Sequence, residues 1–296
     1  MNNQRVNSKL LCGMILCAFV PLSIMAGEKV SQTIGIDSDG LVRVENVAGE
    51  IEIGTWDKDE VSVEANLGDE AEGLEVSETA NGVLIRVKNR SNHHQMDGSD
   101  LVIMIPGAAS LEVESVSADI IAEGPGGETA NLVSVSGDIE LQASAGRVEI
   151  QSVSGDVEYA GLSSRTQMET VSGTIAVSGI SGEVSMQTVS GDISLTTESI
   201  ERGRFEAVSG DLELELGIDG SGRLNVDNMS GDVILNLPAD QSLSIAAQTF
   251  SGDIRSDFGE AEQTSFGPGS VLEFDSGGGA TVKLESFSGD IQIRRR

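Results

Sequence analysis

The sequence predicts an all-β, β-helix-like solenoid built from coils of about 18–21 residues, each carrying two short strands. Three observations predict it. A tetrapeptide of the form Val-Ser-Gly-Asp keeps returning along the chain. Apolar residues alternate with polar ones at period two on both sides of it, the pattern of a strand with one buried face. No stretch carries the apolar spacing of an amphipathic helix.

The repeat begins with a weak copy, Val116-Ser117-Ala118-Asp119. It continues as Val135-Ser136-Gly137-Asp138, Val153-Ser154-Gly155-Asp156, Val171-Ser172-Gly173-Thr174, Val189-Ser190-Gly191-Asp192 and Val208-Ser209-Gly210-Asp211. Met229-Ser230-Gly231-Asp232, Phe250-Ser251-Gly252-Asp253 and Phe287-Ser288-Gly289-Asp290 close the series. The glycines from Gly137 to Gly191 are 18 residues apart, and the later steps are 19, 21, 21 and 37. Three and five residues before the ladder apolar residue stand pairs such as Ile150 and Val148, Met186 and Val184, or Leu284 and Val282. Two and four after the Gly stand Ile139 and Leu141, Val157 and Tyr159, or Leu212 and Leu214. Each coil therefore has one strand on either side of the Ser-Gly turn. A second turn rests on small residues such as Ser144-Ala145-Gly146 and Ser181-Gly182.

Stacked about 4.8 Å apart, the coils would align like residues into columns: Val/Met/Phe, Ile/Val/Leu, Ser and Asp. The ladder Val/Met/Phe column is expected inside, so Val153→Asp would bury a charge and abolish cooperative folding. A left-handed hexapeptide helix also has 18 residues per coil, but six and twelve after Ile139 come Ala145 and the polar Gln151. Right-handed crossovers are the expectation for parallel strands.

Residues 1–26 read as a secretory signal peptide: Arg5 and Lys9, an apolar run from Leu10 to Val20, then Ile24-Met25-Ala26 before Gly27. Leu11 and Leu16 precede Cys12 and Cys17, where a lipoprotein signal would have a small residue. Both cysteines fall in this segment, so the exported chain would have no disulfide. No membrane span is expected after cleavage. Residues 27–118 read as an N-terminal β region of diverged first coils, with Val42, Val44, Ile51 and Ile53 in the ladder register. Asn81-Gly82 marks a tight turn between alternating stretches, and Pro106 stops the strand from Leu101. Residues 119–296 read as regular solenoid with an irregular insertion at 254–281, where Gly267-Pro268-Gly269 and Gly277-Gly278-Gly279 mark loops. Arg294-Arg295-Arg296 is expected to blunt an exposed solenoid end.

Leu101-Val102-Ile103-Met104-Ile105-Pro106-Gly107, the stretch from Val44 to Asp57 and the Ser-Gly-Asp ladder, in that combination, resemble the bacterial putative-adhesin family of unknown function (YvlB-like). The resemblance covers nearly all of the chain after residue 26. It implies a β-helix-like repeat domain of the cell envelope or cell surface, and it carries no catalytic residues over.

The formal charge of −30, or −32 without Arg5 and Lys9, opposes nucleic acid and anionic lipid head groups as partners. The repeated aspartates Asp138, Asp156, Asp192, Asp211, Asp232 and Asp253 are candidate calcium ligands, because Gly- and Asp-bearing turns bind calcium in other repeat proteins. The competing expectation is that each carboxylate accepts hydrogen bonds from its turn, which Thr174 would also do. His93-His94 lies in a polar loop, and adjacent histidines in an extended chain point apart. Glycoside hydrolysis needs two carboxylates at one bond, one with a raised pKa, and evenly repeated acids single out no pair. No Ser-His-Asp set, phosphate loop or zinc spacing is present. The expectation is an exported, non-enzymatic structural or interaction module of the envelope, in the periplasm or at the surface, needing no cofactor. Its partner would be an envelope protein or glycan. The alternatives are a polysaccharide-processing enzyme on the same scaffold and a calcium-stabilised repeat protein.

Overall fold

A computed structural model describes residues 29–90, 97–264 and 267–296. The proposed signal peptide and His93-His94 lie outside these residues. The described chain forms 23 strands and no helix. The amino-terminal strands are β1 (Lys29–Gly35), β2 (Leu41–Trp56), β3 (Glu60–Asn66), β4 (Ala71–Thr79), β5 (Gly82–Asn89), β6 (Asp100–Pro106) and β7 (Ser110–Glu123). The middle of the chain gives β8 (Thr129–Ser134), β9 (Ile139–Gln142), β10 (Arg147–Ser154), β11 (Val157–Ala160), β12 (Arg165–Ser172), β13 (Ile175–Ser178), β14 (Glu183–Ser190) and β15 (Ile193–Ser209). There follow β16 (Leu212–Ser230), β17 (Val233–Leu237), β18 (Leu243–Ser251), β19 (Ile254–Ser256), β20 (Glu262–Gln263), β21 (Ser270–Asp275), β22 (Ala280–Ser288) and β23 (Ile291–Arg295).

These strands form two arms that meet at the Ser-Gly corner. In the arm before the corner, parallel pairing runs β2–β7–β8–β10–β12–β14–β15–β16–β22–β18. In the arm after it, pairing runs β2–β7–β9–β11–β13–β15–β16–β17–β23–β19. The long strands β2, β7, β15 and β16 carry pairings in both arms. The chain is thus an all-β solenoid, as the spacing predicts.

Register turns the repeat into columns. Val44, Val113, Leu132, Ile150, Met168, Met186, Phe205, Val226, Leu284 and Ala247 stand one above the next. All ten are buried. A second column, from Ile51 through Ile120, Ile139 and Val157 to Ile291 and Ile254, faces it and is buried too. Burying a Val, Leu or Ile side chain contributes about 1.5–3 kcal/mol, so these stacked columns hold a fold with no disulfide among its described residues.

The corner glycines form a row along one edge. A Cβ on Gly155, Gly173, Gly191, Gly210 or Gly231 would lie 2.0–2.4 Å from the carbonyl oxygen of the ladder glycine one layer away. Layers can approach this closely only where that atom is missing.

The stack order departs from chain order at the carboxyl end. The last coil, β22–β23, inserts between β16–β17 and β18–β19. The 37-residue step reflects this. The chain leaves a layer's space, builds the outermost coil, runs through β20 and β21, and returns to fill the gap. The expectation that the three arginines cover the solenoid's end is therefore corrected. The Arg296 amide donates to Leu237 O (2.9 Å), and its guanidinium pairs with Glu215 (2.8 Å) and reaches Thr197 O (3.2 Å). Arg295 stacks on the Phe258 ring at 4.7 Å. They tie an inner layer to its neighbours.

Other strands cover the ends. β4 pairs antiparallel with β5, with Thr79 opposite Gly82 across the Asn81-Gly82 turn. β1, β3 and β6 form an antiparallel sheet that joins β2 through β6. At the other end β21 pairs antiparallel with β18, and β20 with β21. These strands give β2 and β18 partners on the sides that the parallel stack alone would leave open.

Candidate functional site

The ladder side chain points the other way from the sequence-based expectation. In β10, Val148 and Ile150 face inward, Gln151 outward, Ser152 inward and Val153 outward. The reason is parity: residues an odd number of positions apart lie on opposite faces of a strand. Val153 is three after Ile150, so an inward Ile150 places it outside. The corner thus inverts the usual pattern, with a polar residue buried and an apolar one in solvent.

The buried polar row has a structural task. A tight corner leaves backbone groups without ladder partners, and buried groups of that kind need hydrogen bonds. Ser134 Oγ accepts from the Gly137 amide at 3.0 Å, and Ser115 Oγ from the Ala118 amide at 2.8 Å. Asn228 Nδ2 donates to Gly231 O (2.9 Å) and Gly210 O (3.2 Å). Thr170 and Thr188 hydroxyls bond to each other at 3.0 Å. The position before the ladder residue is accordingly Ser, Thr or Asn in every coil but one, where Ala207 precedes Val208.

No such task explains the apolar row. Val116, Val135, Val153, Val171, Val189, Val208, Met229, Phe287 and Phe250 form one stripe across nine layers, each between 43 and 58% exposed. The Phe287 and Phe250 rings stack at 5.0 Å and 6°. From Val135 to Phe250 the stripe borders a groove of about 1000 Å³. Its other wall is the outward row Gln151, Glu169, Gln187, Glu206, Asp227, Glu285 and Gln248, and Thr264 and Val271 also line it. Eight layers at about 4.8 Å give a length of roughly 34 Å. Contiguous exposed apolar patches mark interaction sites more often than scattered residues do.

The groove is acidic. Its lining includes Glu169, Glu206, Asp227 and Glu285 and no Lys or Arg. Glu206, Asp227 and Glu285 stand side by side on β15, β16 and β22. Arg204 pairs with Glu206, and Lys283 with Glu285 at 2.8 Å. Asp227 sits between them, and partial burial, then the Glu285 charge, hold its carboxyl above the ordinary range.

Around the corner runs the aspartate row. Asp138 Oδ1 accepts from the Asp156 amide at 2.9 Å, and Asp156 Oδ1 from the Thr174 amide at 2.7 Å. Asp192 serves Asp211, Asp211 serves Asp232, and Asp232 serves Asp290, each at 2.8 Å. Asp290 accepts from the Asp253 amide at 2.9 Å. Asp253 lies in the outermost of these layers, with Arg255 4.0 Å from its Oδ2. The row is a relay of carboxylate-to-amide bonds between layers, interrupted at Thr174, where the row has no carboxylate to offer the Asp192 amide. Among the described residues, no group of three or more His, Cys, Asp or Glu side chains is placed to hold a metal ion.

The sequence pattern hides the groove, because an apolar residue repeated in every coil reads as core. The signal that could have found it is the odd offset between the ladder residue and the inward pair.

Comparison with known proteins agrees with this architecture. No curated protein matches the chain. A "putative lipid binding protein" of Parabacteroides distasonis shares the fold at 16% identity and a TM-score of 0.50, over 91% of this chain and 98% of that one. A "putative adhesin" of Bacteroides fragilis aligns at 12% identity and a TM-score of 0.44, over 90 and 97% of the two chains. Another from Parabacteroides distasonis aligns at 10% and 0.46, over 90 and 97%. The family model Toastrack DUF4097 matches residues 42–294, nearly the whole described solenoid, and the chain belongs to that family.

Proposed function

We propose that the protein is an exported, non-enzymatic interaction module of the cell envelope that holds its partner along the exposed apolar stripe. The observation that carries this reading is the stripe itself. Nine apolar side chains in single file are kept in solvent at positions where core packing asks nothing of them. The signal-peptide pattern at residues 1–26 supports export to the periplasm or surface, and adhesin names among structural neighbours are in keeping with a binding role. A rigid, layered scaffold suits a long binding line, because each layer fixes the next.

The test compares wild type with Val171→Ser/Val189→Ser/Val208→Ser for binding to isolated envelopes of the source bacterium. Loss of binding with an unchanged melt supports the stripe. Equal binding by both would remove it, and no binding by wild type would remove the interaction reading itself.

One observation favours a second reading, polysaccharide cleavage. Asp227, with its raised pKa, stands next to Glu285 inside the groove, an acid beside a second carboxylate. Turnover of a glycan panel that Asp227→Asn abolishes would promote it.

A further inference from the structure

The stripe also says what kind of partner fits it, on the reading that it is the binding face. We infer that its occupant is a basic amphipathic α-helix of about 20 residues, lying along the solenoid axis with its apolar ridge on the ladder and its cations against the acidic wall.

Three features of the groove lead there. The first is hydrogen bonding. The strands from β8 to β22 in the arm before the corner pair with a neighbour on each side, so their backbone groups are already used. A partner strand lying across them would find no ladder to join. A helix brings its backbone bonds satisfied within itself.

The second is spacing. The ladder presents one apolar side chain about every 4.8 Å. A helix ridge presents one about every 5.4 Å, whereas an extended chain presents one on a given face only about every 6.8 Å. Over roughly 34 Å the helix falls out of step by less than one layer, and that length corresponds to about 20–23 residues at 1.5 Å each.

The third is charge. Glu169, Glu206, Asp227 and Glu285 line one wall, and the aspartate row flanks the stripe beyond the turn. With a chain charge of −30 this surface repels anionic lipid head groups and a second copy of itself. It attracts a polypeptide with Lys or Arg beside its apolar face.

The experiment uses a fluorescent 22-residue Leu/Lys peptide with leucines at i, i+3, i+4 and i+7, read by anisotropy and circular dichroism at low salt. Expected is binding with a gain of helix. Val171→Ser/Val189→Ser/Val208→Ser should weaken it at least tenfold, and Asp227→Asn/Glu285→Gln roughly threefold to tenfold. Melts of both variants confirm that they fold. A scrambled peptide of the same composition should bind at least tenfold more weakly. Equal affinity for both peptides, or no effect of the triple substitution, would overturn the helix. So would a stripe-dependent dimer seen by light scattering, or stripe-dependent flotation with phosphatidylcholine vesicles, which would name a second copy or a lipid surface instead. If the peptide fails while envelope binding still needs the stripe, the helix falls and the binding face stands. If neither depends on the stripe, both fall.

Discussion

Gly191→Ala tests the layered packing through a single methyl group. A Cβ at this position would lie 2.0 Å from Gly173 O and 2.8 Å from Gly173 C, both backbone atoms of the adjacent layer. Relief to ordinary contact requires the two layers to part by more than about 1 Å, against a spacing of about 4.8 Å. Two bonds lie in that seam: the Gly173 amide to Ser190 O at 3.3 Å, and the Ile175 amide to Asp192 O at 2.9 Å. Losing them costs about 1 kcal/mol each, and local overpacking adds about 1–3 kcal/mol. A total of roughly 3–5 kcal/mol corresponds to a fall in melting temperature of roughly 6–20 °C for a domain of this size. Gly107→Ala is the matched control, since nothing lies within 4 Å of its built Cβ. It should change stability by less than about 1 kcal/mol. Thermal and urea melts by circular dichroism read both. If Gly191→Ala melted with the wild type, or Gly107→Ala fell as far, the close approach of layers at the corner would be refuted.

Three further outcomes follow from the same geometry. Ile150→Asp should abolish cooperative unfolding, because it buries a charge in the core column, while Val153→Asp should cost about 1 kcal/mol or less in a urea melt. Asp227→Asn should leave stability at pH 7 unchanged or slightly raised. A carboxyl whose folded pKa is raised opposes folding above its unfolded value, and that penalty vanishes as pH falls below about 3.9. The gain should therefore disappear in acid melts, and a gain that persists there would contradict the assignment. Melts in calcium and in chelator should share one midpoint, because Asp138, Asp156, Asp192, Asp211 and Asp232 already give an oxygen to a backbone amide. A calcium-dependent rise would assign the row to metal instead.

The regular coils were legible because their determinants are local and periodic. A fixed glycine step sets the layer, and period-two alternation around it sets the two arms. The tight turn at Asn81-Gly82 and the stop at Pro106 were readable for the same reason. Stack order was not. Nothing in residues 280–293 marks them as the layer between β16–β17 and β18–β19, since every coil offers its neighbours the same columns. What decides the order is how the chain between β19 and β22 returns, a tertiary property. The stripe is a different case. Its direction follows from Val153 standing three residues after the inward Ile150, yet an apolar side chain repeated in every coil invites assignment to the core. The partly buried Asp227 between Glu206 and Glu285 depends on which layers meet, so no spacing in the sequence could single it out.

Thiol labelling tests most directly which way the ladder faces. With Cys12 and Cys17 replaced by Ser, single cysteines are placed at Val153 and Val189 on the stripe and at Ile150 and Met186 in the core column. The account predicts that positions 153 and 189 react readily in the folded protein. Positions 150 and 186 should react only on unfolding. Protection at 153 and 189, with ready labelling at 150 and 186, would put the stripe inside and remove the binding face.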